Sequence, residues 1–453
     1  MNSFLTQFRI VVERRLTRRY IQTICTLFLV INLTTFVVAF ATSKDGRSIF
    51  GPYLGADFGA FYIAGKVFNT HPHQQIYDAN LHQQLYLEEF PGAPADSQLP
   101  YLNAPFFVLP FTWLAKLPYT WAYLLWLVLS LMLYLAAFSL IWTTLDGIPK
   151  DAWLTALLLS LSLMPFLVEC LEGGQTSAVG LFGLALALSL ERRGRAILSG
   201  VALSLCTYKP TLLFLVLPML VVTRRYSALG GFLMGTAFLT VVSLLSVGWQ
   251  GCLAYLDTLL NYSHVSADAQ SVLRSWKYSD VNSFFRLLAG EHQYVRWALT
   301  ATGFLVVLPM IFSHWRKAYP KREDYQSLVW ALTLAWTPVM NIYVGTYDST
   351  IVVLAALLAT DVFFHRADSD RPALPSAFKM ILVLLYITPW FTQILARVTR
   401  IQIYTVVLAL FGTYQLVVLD RLSRELHPAK TRTLTKFRLY LPAEGPHNTA
   451  PRP

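Results

Sequence analysis

Long apolar runs recur along almost the whole chain, and they leave few folds open. A helix needs roughly 17–25 apolar residues to cross a ~30 Å hydrocarbon core, and stretches such as "LLWLVLSLMLYLAAFSLIW" reach that length unbroken. The runs do not alternate apolar with polar residues, which excludes a transmembrane β-barrel. With 55% hydrophobic and 13% charged residues, the charged content is about half that of a soluble domain. The expected class is an all-α polytopic membrane protein. Spans are expected near 20–41, 119–142, 152–170, 176–190, 196–208, 211–222, 227–247, 293–313, 327–340, 349–364, 376–395 and 401–419, about twelve in all. Those at 196–208 and 211–222 are short and meet at Pro210, so they read as one kinked helix or as a broken pair.

Lys and Arg concentrate in short cytoplasmic loops, and here they cluster in "RIVVERRLTRRY", "ERRGR" (191–195), "TRRY" (223–226), "HWRKAYPKR" (314–322) and the tail from Arg421. With twelve spans all five fall on one side, so both termini are expected in the cytoplasm of a bacterial cell, with the chain in its plasma (inner) membrane. "ARVTR" (396–400) is the exception, placed outside. The net charge of +11 is then a topology signal and a contact for anionic membrane lipids, and no nucleic-acid partner is expected. The first apolar run is too long for a cleaved signal peptide and is expected to remain as a helix. Cys25, Cys170, Cys206 and Cys252 have no paired spacing and are expected to pack. The organisation expected is a basic N-terminus (1–19), a transmembrane domain (20–419) with large outer intervals at 42–118 and 248–292, and a basic tail (420–453).

The unusual polar residues fall in the intervals assigned outside: Asp57, Tyr62, Asn103, Glu172, Gln175, Tyr208, Lys209, Arg274, Lys277, Asp280, Asn282, Asn341, Tyr347 and Asp348. The cytoplasmic loops are short, basic and plain, so the working face is expected outside. In "DFGAFYIAGKVF" the residues Phe58, Phe61, Tyr62 and Gly65 recur at helical spacing, which puts Asp57 at a helix N-terminus. Capping is the ordinary job of an aspartate there. "YLNAPFFVLPFTWLAKLP" is apolar but short and proline-rich, as in an interfacial or re-entrant helix.

Lys209, ahead of Pro210, is either a lysine snorkelling from a helix end or a fixed cation facing an anionic headgroup. "EGGQTS" offers either backbone amides for an anion or a tight interhelical turn. In "SVLRSWKYSDVNSFFRLL", Arg274 and Lys277 share a face on one helical turn, against the plainer reading of solvated charge. Tyr347 and Asp348, in the polar break "TPVMNIYVGTYDST", line a sugar pocket or belong to the aromatic belt. His71, His73, His82, His264 and His292 lack HxxxH or HExxH spacing, so no metal is expected. Without GxGxxG or a P-loop, neither a nucleotide sugar nor a cofactor is expected.

Taken in order, "GADFGAFYIAGKVF" with Tyr77-Asp78 closing it, "YLNAPFFVLPFTWLAKLP", "GGQTSAVGLFGLALAL" and "YKPTLLFLVLP" resemble glycosyltransferase family 87 over most of residues 20–360. The resemblance implies a GT-C fold, with loop helices on the outer face, and transfer from polyprenyl-phosphate sugars, as in polyprenol-phosphate-mannose α-mannosyltransferases of glycolipid synthesis in the cell envelope. It implies that Asp57 is the essential acid, that Gln175 is the family's Gln and that Lys209 is its lysine before proline. A histidine-bearing segment expected before a later helix is absent, and "MNIYVGTYDS" stands there.

On that basis Asp57 would accept the proton of an attacking hydroxyl on a glycolipid or glycan acceptor. Lys209 and Arg274 or Lys277 would meet the departing phosphate, and Tyr62, Trp276, Tyr278 and Tyr347 would stack on sugars. A single base suits transfer with inversion. The competing class is a transporter or flippase of lipid-linked sugars, which would carry charge near mid-membrane and related halves. No internal repeat is visible, although the break at Lys209-Pro210 suits that class.

Overall fold

The structure, a computed structural model, describes residues 17–43, 54–55, 57–91, 93, 100–261, 273–318, 323–367 and 374–426. Most of the basic N-terminus, the "YPKR" end of the 314–322 cluster, His264 and the tail beyond Leu426 lie outside the described residues. Among the described residues every named element is helical, and the one isolated bridge joins Tyr278 to Gly345.

The apolar runs fold as their lengths require. Helix α1 (Arg18–Ala41) is followed by three shorter helices in the first outer interval, α2 (Phe58–Thr70), α3 (Ala79–Glu89) and α4 (Leu109–Leu114). Helix α5 (Tyr119–Trp142) then runs unbroken. Helix α6 (Trp153–Leu161) leads into a π-helical stretch, Pro165–Glu172, and on to α7 (Ser177–Arg192). Next come α8 (Ala196–Ser204), α9 (Val216–Val222) and α10 (Tyr226–Leu260), the last kinked at Gly248, which takes φ +70°. Helices α11 (Val281–Ala289), α12 (Gln293–Arg316), α13 (Glu323–Trp336), α14 (Val352–His365), α15 (Ser376–Ile387), α16 (Pro389–Thr399) and α17 (Ile403–Leu426) complete the chain. Helix α17 continues past residue 420, where the tail was expected to begin.

Among the described residues twelve full spans are not found. Six helices there are long and apolar enough to cross a membrane, or eight if the bent pairs at 150–172 and 376–399 each count as one span. The remaining expected spans are short: α13 has 14 residues, about 21 Å of helix against a ~30 Å core. Hydropathy marks an apolar segment but not where its helix breaks, and the 196–222 segment breaks into two 3-10 turns around Lys209. The broken-pair alternative therefore holds.

In lipid, helices associate through close packing rather than hydrophobic burial, and α8 and α10 meet in this way. A Cβ on Gly200 would sit 1.8 Å from the Ala228 carbonyl oxygen, and one on Gly231 would sit 2.0 Å from that of Ile197. Three of the four cysteines, Cys25, Cys170 and Cys206, are buried, and all four are free thiols.

Charged side chains gather at one end of the bundle. Arg18 pairs with Asp151, Arg225 with Glu191 and Gln326, and Arg366 with Glu425. Arg192 donates to Ser327 Oγ at 2.9 Å and to the Thr144 carbonyl. The basic clusters thus share one end, the grouping their sequence positions require. From there α7 runs its 16 residues, about 24 Å, to Ser177 at the other end.

The first outer interval has a compact core of its own. His82 on α3 is buried, and its Nε2–H donates to the Ile76 carbonyl at 2.8 Å while Nδ1 has no hydrogen-bond partner. Burial pushes the imidazole down to about 4. Since an unfolded histidine titrates near 6.5, the unfolded chain takes up this proton first on acidification. His82 therefore contributes full stability above about pH 6.5 and loses about 3 kcal/mol as pH falls toward 4. Hydrogen exchange of the 73–90 region is expected to accelerate across that window in the wild type and much less in His82→Gln.

Candidate active site

At the end opposite the basic clusters, a cavity of about 570 Å³ opens between the first outer interval, the π-helical stretch, the break around Lys209 and the loops at 273–280 and 341–347. That volume suits a small organic ligand. Asp57, Asn103, Gln175, Lys209, Lys277 and Tyr347 line it, joined by Trp276 and Tyr278.

Asp57 stands at the N-terminus of α2, as the helical spacing required, but its carboxylate makes no capping bond to that helix. Asp78 shows the difference: its carboxylate accepts from the Asn80 and Leu81 amides at 2.9 and 3.1 Å. At α2 the amides of Asp57 and Phe58 both donate to the Gly173 carbonyl, at 3.2 and 3.3 Å. The Gly59 amide, which a side-chain cap at Asp57 would serve, donates to the Gly55 carbonyl at 3.2 Å, and the Asp57 carboxylate lines the cavity, where Gln175 Nε2 donates to its Oδ2 at 2.8 Å.

The same contact explains "EGGQ". Gly174 takes φ +79°, and a Cβ there would lie 2.5 Å from Phe58 Cβ, so only glycine lets the turn dock on α2. Carbonyls of the turn accept from Tyr123 Oη and Trp126 Nε1. Of the two readings of the glycine pair, the tight turn is the one observed.

Lys209 is fixed rather than snorkelling. Its Nζ lies 2.6 Å from Asp348 Oδ2 and 4.4 Å from the centre of the Tyr347 ring. Ser177 Oγ donates to the other Asp348 oxygen at 3.3 Å. The lysine side chain is 21% exposed and that of Asp348 1%, so a carboxylate sealed in the protein neutralises a cation that reaches the cavity. Tyr347 meets that cation with its ring face, the surface that was expected to stack on sugar.

Residues 273–280 and 341–346 close another side of the cavity. Ser279 N donates to the Val344 carbonyl at 2.9 Å, and Thr346 Oγ1 to the Lys277 carbonyl at 2.9 Å. Buried Asp280 accepts from Ser283 N, Ser283 Oγ and Val344 N, at 2.8, 2.9 and 2.9 Å. Arg397, from the exceptional "ARVTR", lies 4.9 Å from the Trp276 ring centre. That cluster therefore belongs to the cavity end, away from the other basic groups.

Several expected site residues do other work. Tyr62 Oη donates to the Leu117 carbonyl at 2.9 Å, and burial pushes its phenol up to about 12. Tyr208 Oη donates to the Thr176 carbonyl at 2.9 Å and its ring stacks on Phe107. Asn341 Nδ2 donates to the Thr211 carbonyl at 2.8 Å. Glu172, Arg274 and Asp348 are not among the lining residues either. Arg274 and Lys277 do share one turn, a 3-10 turn (Leu273–Lys277), but only Lys277 reaches the cavity.

The cavity also holds a second carboxylate, so Asp57 is not a lone acid there. Glu169, from the π-helical stretch, lines it and accepts from Gln393 Nε2 on α16. Both residues sit inside apolar runs, where an ionisable or amide side chain is a site signal by default. Neither is among the residues expected at the site from the sequence. Among the described residues no group of three or more His, Cys, Asp or Glu is placed to hold a metal ion.

A family model, glycosyltransferase family 87, matches residues 101–341, more than half of the 453-residue chain. The chain belongs to glycosyltransferase family 87. It is a membrane glycosyltransferase, and the matched segment of the family 87 model includes Glu169, Gln175, Lys209 and Lys277, while Asp57, Tyr347 and Gln393 lie outside it. No curated protein and no solved structure matches the chain.

Because Asp348 is buried, removing either partner of the Lys209–Asp348 pair strands the other, at a cost of about 3–5 kcal/mol. Lys209→Met and Asp348→Leu are each expected to lower the thermal unfolding temperature of the detergent-solubilised protein. The double variant is expected to recover much of the loss, and a double-mutant cycle on unfolding midpoints checks it.

Proposed function

We propose that the protein transfers a sugar, mannose or a related hexose or pentose, from a polyprenyl-phosphate donor to a glycolipid or glycan acceptor at the outer face of the plasma membrane. The observation that carries this reading is the Asp57 carboxylate, relieved of helix capping, oriented by Gln175 and facing a cavity at the end of the bundle away from the basic clusters. By the positive-inside rule those clusters are cytoplasmic, so the cavity faces outward. A polyprenyl phosphate keeps its tail in lipid and its sugar at the surface, where such a cavity receives it.

Cleavage of the sugar–phosphate bond builds positive charge on the anomeric carbon and negative charge on the phosphate. Asp57 accepts the proton of the attacking acceptor hydroxyl, a contribution of ~10²–10⁴ in rate. Attack from the face opposite the phosphate inverts the anomeric centre. Lys209 and Lys277, which both line the cavity, meet the departing phosphate in this reading, with Arg397 behind Trp276. Trp276 and Tyr278 supply ring faces for sugar. Neither a metal nor a cofactor is required, since the donor arrives with its leaving group already activated as a phosphate.

The interruption at Lys209, with its ion pair between broken helical segments, is also the kind of element transporters use, which favours a lipid-linked-sugar flippase as the second reading. Purified protein in detergent separates the two, because transfer needs no sealed bilayer and transport does. Wild type is expected to move labelled sugar from polyprenyl-phosphate mannose, or a related donor, to an acceptor extract. Asp57→Asn keeps the shape and removes the base, and is expected to lose at least ~10²-fold in kcat with donor affinity retained. Unchanged turnover would remove Asp57 from the mechanism, and activity confined to sealed vesicles would favour the flippase.

A further inference from the structure

The cavity's second carboxylate has no part in the proton transfer just described. Glu169 comes from Pro165–Glu172, a π-helical stretch of the kind that often marks a functional site. One group orients it: Gln393 Nε2 from α16 donates to its Oε1. A carboxylate has about four acceptor positions, so this donor leaves it able to accept more from the cavity it lines.

Its chemistry limits what it can receive. A carboxylate repels a phosphate and welcomes hydroxyls, and vicinal sugar hydroxyls can donate to it as a pair through charge-assisted bonds. Its neighbours indicate which sugar. The stretch that carries Glu169 packs against Thr346–Ile351, whose first three residues hold the cavity's cations: Thr346 bonds the Lys277 carbonyl, Tyr347 carries Lys209 on its ring, and Asp348 pairs with Lys209. In a polyprenyl-phosphate sugar one glycosidic bond separates sugar from phosphate, so a carboxylate adjoining the cations meets the donor's sugar. We propose that Glu169, held by Gln393, recognises the hydroxyls of the sugar being transferred and so sets donor specificity. This rests on the polyprenyl-phosphate reading above.

The test is binding rather than turnover. Isothermal titration of the full-length protein in detergent is made with a short-chain polyprenyl-phosphate mannose and with the same lipid phosphate lacking sugar. Wild type is expected to prefer the sugar-bearing lipid. Near-isosteric Glu169→Gln is expected to lose about tenfold or more of that preference, as for loss of a hydrogen bond to a charged group, with the bare lipid phosphate bound as before. Gln393→Leu is expected to lose less, because the carboxylate remains but its orientation is freed, and Asp57→Asn is expected to keep the preference.

An undiminished preference in Glu169→Gln overturns the proposal while leaving the donor reading intact. So does an equal loss of affinity for both lipids, which marks Glu169 as a structural tie between the π-helical stretch and α16. A wild type that binds neither lipid overturns the donor reading and this inference together.

Discussion

Much of the site depends on one carbonyl. Gly173 accepts from the amides of both Asp57 and Phe58, which docks the start of α2 on the turn that carries Gln175. The Asp57 carboxylate makes no capping bond to its own helix and accepts instead from Gln175, two residues further along that turn. The acid and its orienting amide are therefore positioned by a single docking event. That event is possible only because Gly174 takes a positive φ where a Cβ would collide with Phe58. A chain that shifted this turn by one residue would lose the two amide bonds, the orientation and the close packing together.

Charge is arranged on two scales. Along the bundle, arginines at 192, 225 and 366 close one end through pairs with Glu191, Glu425 and neighbouring polar groups, while the cavity occupies the other. Within the cavity, Lys209 is bound to a carboxylate that solvent barely reaches, and Asp57 and Glu169 add further acid. The cations are matched to a leaving phosphate, and the acids to hydroxyls and to developing positive charge on a sugar. The lysine before the proline keeps its importance under this arrangement, and it also anchors Asp348 and the Tyr347 ring.

How much of this could be read from sequence follows the range of the interactions. Helix α2 and its N-terminal aspartate were legible because Phe58, Phe61, Tyr62 and Gly65 repeat at helical spacing, and all four are buried. The family motifs singled out Gln175 and Lys209, and both line the cavity. Tyr62 and Asn341 misled, because a polar atom at the edge of an apolar segment looks the same whether it faces a ligand or a backbone carbonyl. Their hydrogen bonds run to Leu117 and Thr211, far enough along the chain that no local pattern announces them. Glu169 was missed for the opposite reason, since it sits inside an apolar run whose length suggested plain membrane. The count of twelve spans is not confirmed because hydropathy sums over a window and does not register where a helix tightens, widens or bends.

Those irregularities share a location. Non-helical or distorted backbone at membrane depth is tolerated where protein buries it or where it lines a cavity, and the breaks here meet the second condition. The π-helical stretch carries Glu169, the pair of 3-10 turns carries Lys209 between them, and the gap after α13 carries Tyr343 and Tyr347. The sharply bent α15–α16 pair carries Gln393. Each departure from regular helix costs hydrogen-bond geometry, and each places a polar or aromatic side chain on the same cavity wall. The segments that fell short as spans therefore fell short around the site: to converge on one cavity, the helices end or bend there instead of continuing across the full thickness of the membrane.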